Sequence, residues 1–327
     1  MLNGMSPLMP GTILLTATNS RLETSRPRPE TRRVRWKKVT LVGVGLLGGS
    51  LGMALRKRRL ARSVVGFVRR PASVIECERL GAVDLATLDL ARAVKGADLV
   101  VLCTPIAQMR PLVKQMLPVL RRGAVVTDVG SVKGKVVRDL ESLVARGGAD
   151  FVGSHPMAGA EKTGVAAARA DLFSGARCVI TPTPRSAPTA VRKVEQLWRA
   201  VGCRLLWLKP ETHDALVSRS SHLPHLVAAQ LANLILSPKH AKEQGMLCAN
   251  GFRDTTRIAA SSPEMWRDIA LANRTNLLRT LDAFTAGLRR FRRALKNQDA
   301  RAVSSFFEQA RERRQAWSRE AGSRSLE

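Results

Sequence analysis

The chain has 327 residues, 45% of them hydrophobic, which is enough for two packed domains. No apolar run approaches the roughly 18 residues of a membrane helix, and five cysteines without a CxxC pair suggest neither a zinc site nor a disulfide framework. The formal net charge of +28 invites a nucleic-acid reading, but the basic residues are dispersed, aromatics make up 4% and tyrosine is absent, so stacking platforms are scarce.

Such a field favours anionic small molecules, with no specific nucleic acid and no membrane as partner. The odd, widely spaced cysteines read as reduced thiols, which implies a cytoplasmic protein. Residues 1–36 lack a charged segment leading into an apolar core and end in a basic run that begins at Arg32. They read as a disordered basic extension, as an upstream start, or as an organelle transit peptide.

From Val39 the sequence VTLVGVGLLGGSLGMALRKR reads as a buried strand, a glycine turn at Gly43, Gly45 and Gly48, and a helix. This is the dinucleotide-binding pattern. The first glycine allows the tight turn, the second lets backbone approach a pyrophosphate, and the third lets helix pack on strand. Leu46 and Leu47 complete the expected phosphate-facing turn. The next strand, SVVGFVRRP, ends where such folds carry an acid that holds ribose hydroxyls. Here Val68 is followed by Arg69 and Arg70, a composition that leans toward the 2′-phosphate of NADP over NAD. A solvated basic loop is the alternative.

Alternating elements follow: SVIECERLGAV, DLATLDLARAVKGA, the strand DLVVLCTPI, the helix MRPLVKQMLPVL, the strand AVVTDVGS, the helix VKGKVVRDLESLVARG and the strand FVGSHPM. The rhythm predicts a parallel sheet. Its strand ends, at Thr104-Pro105, at Asp128 to Ser131 and at His155, belong at the carboxyl edge, where ligands bind. His155 is the first candidate for chemistry, because a neutral imidazole can take a hydroxyl proton near neutrality. RCVITPT and CRLLWLK flank one more helix and complete a dinucleotide-binding domain over 37–210. Residues 211–327 read as helices only, a substrate-binding and dimerisation domain whose apolar positions, Leu226, Leu234, Leu236, Leu278 and Leu288 among them, suit a homodimer interface.

The glycine turn, CTP at 103–105, DVGSVKG at 128–134, GSHPMAGAEKTG at 153–164, HD at 213–214, SHLPH at 221–225 and GFRDTTRIA at 251–259 occur in one order. Together they resemble the prephenate and arogenate dehydrogenases over roughly residues 38 to 290. The resemblance implies an α/β, Rossmann-like domain followed by an all-α dimerisation domain. It also implies oxidative decarboxylation of prephenate to 4-hydroxyphenylpyruvate on NAD(P)+, or of arogenate to tyrosine. In those terms His155 takes the ring-hydroxyl proton, and Ser131, which also binds the cofactor, orients the histidine, the substrate hydroxyl and the nicotinamide. Arg257 clamps a substrate carboxylate, a task that independently suits a guanidinium fork. Ser221, His222 and His225 match substrate-pocket residues, and Asp254, Glu161 and Trp266 match the pocket mouth. Arg257 could instead pair with Asp254, and His213-Asp214 could be a helix N-terminal cap. Many family members carry an acid where Val68 stands, so NAD use does not carry over. A 3-hydroxyacid dehydrogenase would need a catalytic lysine where SHLPH stands.

Overall fold

The structure is a computed structural model that describes residues 36–160, 162–237, 239 and 242–323. The expected disorder of the N-terminal extension therefore lies outside the described residues, except that Trp36 is buried and opens the first strand. Two compact units emerge: a sheet unit (1–103, 112–129 and 140–210) and a helical unit (104–111, 130–139 and 211–327). The helical unit takes in two short segments that follow strand ends, 104–111 and 130–139.

The sheet unit runs β1 (Trp36–Val42), α1 (Leu46–Lys57), β2 (Ala61–Phe67), α2 (Pro71–Arg79), β3 (Leu85–Thr87), α3 (Leu90–Val94) and β4 (Leu99–Leu102). It continues through α4 (Ile106–Met116), β5 (Val125–Asp128), α5 (Gly134–Arg146), β6 (Asp150–Pro156), β7 (Arg177–Thr181), α6 (Pro188–Ala200) and β8 (Arg204–Trp207). Strand order is β3-β2-β1-β4-β5-β6-β7-β8. Leu85–Thr87 is a short strand at the edge of the sheet. The central strands LVVL and VVTD are buried throughout, as parallel strands covered on both faces must be.

One pair departs from the expected parallel sheet: β7 runs antiparallel to β6, and β8 runs parallel to β7. A parallel neighbour needs a crossover helix, whereas the described residues that link β6 and β7 hold only the 3₁₀ turn Val165–Ala167. Helix α6 supplies the crossover for β8.

In the helical unit the chain forms α7 (Pro210–Val217), a π-helical turn over Ser218–His222, α8 (Leu223–Ile235), α9 (Lys242–Met246), α10 (Asn250–Thr256), a 3₁₀ turn over Arg257–Ala260, α11 (Pro263–Ala272), α12 (Arg274–Lys296) and α13 (Ala300–Ser323). Pro224 explains the π turn. It lacks the N–H that would bond the carbonyl four residues back, and the helix widens before it. Phe291 of α12 packs on Phe306 and Phe307 of α13, with ring centroids 4.6 and 5.7 Å away.

Candidate active site

The sheet unit holds a cradle made of backbone. Gly43 has φ +98°, which opens the turn. A Cβ on Gly48 would lie 2.1 Å from the Gly43 carbonyl oxygen, so only glycine lets α1 approach β1 this closely. Gly45 differs: a Cβ there would meet nothing within 4 Å. Gly45 is also the N-cap of α1, no side chain caps that terminus, and its first turn holds no acid. Bare amides at a helix start, facing open space, fit a pyrophosphate. Leu46 and Leu47 are half-buried behind this turn and pack on the core. Below it the Cys77 thiol lies 3.8 Å from the Val44 carbonyl, and burial, helped by Glu76 and Glu78, pushes its pKa up to about 11. That thiol is a neutral packing group.

Beyond β2 the local chemistry differs from the sequence expectation in one respect. Val68 is only 5% exposed and belongs to the hydrophobic core, its amide bonded to the Thr87 carbonyl. Arg69 and Arg70 are exposed. The exposed charge at this strand end is therefore that of the two arginines. A carboxylate at position 68 would start from a buried site.

β4, β5 and β6 run parallel and end at one edge, and His155 stands near the end of β6, buried, opposite Val179 of β7. Its neighbour Ser154 faces the other way, because strand side chains alternate. Ser154 Oγ donates to the Asp128 carbonyl at 2.6 Å and accepts from Trp198 Nε1 at 2.9 Å, while its amide donates to Asp128 Oδ1 at 3.1 Å. Thr127 Oγ1 lies 2.9 Å from the same hydroxyl. This buried network pins the register of β6, and with it the face on which His155 stands. No sequence signal marked it.

The helical unit holds a cluster of polar side chains. Asp214, for which a cap on its own helix is the alternative reading, lies inside α7 and caps α5. Its carboxylate accepts from the Lys133 amide at 2.7 Å and the Gly134 amide at 2.8 Å, and His213 Nδ1 lies 2.8 Å from it. A Cβ on Gly134 would come within 2.9 Å of Asp214 Oδ2, so glycine is what admits this cap. The cap ties the Ser131 segment to α7. Asn273, between α11 and α12, donates to the Asp214 carbonyl at 2.8 Å and lies 3.2 Å from His222 Nδ1. Sequence reading missed Asn273 because a lone asparagine between two helices reads only as a junction.

His222 is 2% exposed. Burial pulls its pKa down to about 4, with His213 and His225 adding to the fall and Asp214 and the Ser131 carbonyl opposing it. His225 stacks on Trp266 with centroids 3.8 Å apart, and His222 meets the same indole edge-on at 5.9 Å. Burial also lowers the His225 pKa. Three buried polar atoms among the described residues have no hydrogen-bond partner: Thr104 Oγ1, His222 Nε2 and Trp266 Nε1. All three lie in the helical unit. Pro105 follows Thr104 at the start of α4, and Ser221 is half-buried beside His222. Asp254, in α10, and Arg257, opening the following 3₁₀ turn, are both exposed. Glu161 lies outside the described residues.

The family model described as "Prephenate dehydrogenase, nucleotide-binding domain" matches residues 51–207, and that described as "Prephenate dehydrogenase, dimerization domain" matches 209–309. A prephenate dehydrogenase of Bacillus subtilis is 34% identical over 84% of this chain and 75% of its own. This chain belongs to the prephenate dehydrogenase family. A cyclohexadienyl dehydrogenase of Zymomonas mobilis is 32% identical, covering 86% of this chain and 96% of its own. The crystal structure of prephenate dehydrogenase from A. aeolicus with hydroxyphenyl propionate and NAD+ superposes with a TM-score of 0.78, at 33% identity, over 85% of this chain and 98% of that one. The Rossmann-like sheet unit and the helical unit are thus the nucleotide-binding and dimerisation domains of this oxidoreductase family.

Proposed function

We propose that this protein oxidises prephenate, with loss of carbon dioxide, using NAD(P)+. The observation that carries the reading is the set of buried, partnerless polar atoms on Thr104, His222 and Trp266, gathered in one unit beside a segment bearing Ser131. Native interiors rarely leave such atoms unsatisfied, and a polar ligand supplies the missing partners.

The nicotinamide supplies a hydride acceptor when bound. His155 takes the ring-hydroxyl proton as the carbinol C–H bond breaks, and Ser131 orients that hydroxyl. The C–carboxylate bond then breaks, its electron pair enters the ring, and His155 returns its proton to the phenolate oxygen. Arg257 holds a substrate carboxylate, with Ser221, His222, His225 and Trp266 lining the pocket and Asp254 and Glu161 near its mouth. Gly43, Gly45, Leu46, Leu47 and Gly48, with Thr104 and Pro105, hold the cofactor. Exposed Arg69 and Arg70 favour NADP+ at least as well as NAD+.

A homodimer through the helical unit is part of this reading, since Leu234, Leu236, Leu278 and Leu288 there are about half exposed. The test crosses prephenate and arogenate with NAD+ and NADP+, following reduced-nicotinamide absorbance. Prephenate turnover on NADP+ is expected. Turnover of arogenate alone would transfer the reading to the amino acid substrate, and turnover of neither would refute it.

A further inference from the structure

The buried network around His222 fixes where its protons sit. The Asn273 side chain has two amide hydrogens and one oxygen to satisfy. Its oxygen accepts from Asn276 Nδ2 at 2.9 Å. One hydrogen goes to the Asp214 backbone carbonyl, which can only accept, at 2.8 Å. The other therefore points at His222 Nδ1, 3.2 Å away. A ring nitrogen that accepts a hydrogen bond carries no proton, so in the neutral imidazole the proton belongs to Nε2. No hydrogen bond of good geometry reaches that buried nitrogen, and the Ser131 carbonyl is the backbone acceptor that acts on the ring.

His225, three residues on, is set the other way. Its Nδ1 lies 3.0 Å from the Ser221 carbonyl, which can only accept. His225 therefore carries its proton on Nδ1 and leaves Nε2 as an acceptor. Both rings lean on Trp266, whose own buried Nε1–H is a second donor without a partner. Two buried donors on rings in contact call for acceptors such as carboxylate or keto oxygens, and a cationic group there would leave them unpaired.

We propose that Asn273 is a positioning residue that locks His222 in the Nε2–H tautomer, so that His222 offers a hydrogen-bond donor to an oxygen of the substrate. This rests on the helical unit being the substrate half. The titratable groups that act on His222 are Asp214, His213 and His225, and the neutral ring that their balance and burial leave is the state the lock requires.

The test is proton–nitrogen correlation spectroscopy on the full-length, nitrogen-labelled protein without ligand, with His222→Gln used to identify the His222 signals. At neutral pH the wild type should show His222 protonated on Nε2 and His225 protonated on Nδ1. Asn273→Asp, which places an acceptor against Nδ1, should move the His222 proton to Nδ1. In kinetics the same variant should raise KM for prephenate about tenfold, with a smaller change in kcat and none in KM for NADP+. Wild-type His222 protonated on Nδ1 would overturn the proposal by itself, even if Asn273→Asp does not fold. An unchanged tautomer in a folded Asn273→Asp would overturn it too. Failure to turn over prephenate, with His222 protonated on Nε2, would refute the substrate reading and leave the tautomer assignment standing.

Discussion

The glycine turn of the sheet unit and the histidine cluster of the helical unit solve opposite problems. The turn is made of backbone that is shaped by what is missing: no Cβ can be added at Gly48, and empty space faces Gly45. The cluster is made of side chains whose own hydrogen-bond needs are met on one side and left open on the other, at His222 Nε2 and Trp266 Nε1. In the proposed function, a shape that accepts phosphates is specified by a short local pattern, whereas a polarity that accepts a small organic acid is assembled from α5, α7, α8, α11 and their junctions.

The largest effect should come from outside both regions. His155→Ala should cut kcat by about 10² to 10⁴, the span for losing a general base, with prephenate binding little changed. A near-normal kcat would remove His155 from the chemistry and return the whole mechanism to the helical unit.

The glycine turn can be broken in two distinguishable ways. Gly48→Ala should destabilise the fold by about 1–3 kcal/mol, seen as a lower melting temperature, because the new methyl overlaps the Gly43 carbonyl. Gly45→Ala should leave melting unchanged and weaken cofactor binding, since its methyl enters only the open space. Equal melting losses in both would mean that the space before Gly45 is structural.

The cluster makes its own prediction in pH. The folded His222 ring has a pKa of about 4, below the roughly 6.5 expected when unfolded, so the unfolded chain binds the extra proton first. The stability held in the neutral ring is full above about pH 6.5 and is lost as pH falls toward 4, by roughly 3 kcal/mol. Denaturant titrations at several pH values should show this slope in wild type and a flatter one in His222→Gln. Identical slopes would mean that the ring is not held neutral by burial.

The smallest effect concerns cofactor choice. Arg69→Ala combined with Arg70→Ala should raise KM for NADP+ by about tenfold and leave KM for NAD+ nearly unchanged, if the exposed guanidiniums meet a 2′-phosphate. Equal effects on both cofactors would make these arginines solvated surface.

The same contrast explains what the sequence disclosed. The strand, glycine turn and helix at 39–57 were legible because each element is local and its glycines have backbone reasons. SHLPH and GFRDTTRIA were legible only as a resemblance. The Asp214 cap on α5 spans 81 residues, and the Asn273 bond to His222 spans 51. Periodicity carries no information at such separations. The reversal of β7 was missed for a similar reason, because an apolar run such as RCVIT fits either direction, and only the lack of a crossover helix before it decides.

The most direct test of the division between the two halves is a paired measurement on Gly45→Ala and His222→Gln, using NADP+ affinity by titration and prephenate KM by steady-state kinetics. The account predicts a double separation: Gly45→Ala weakens NADP+ and spares prephenate, and His222→Gln raises prephenate KM and spares NADP+. If either variant shifts both ligands equally while remaining folded, the backbone cradle and the histidine cluster do not hold separate ligands.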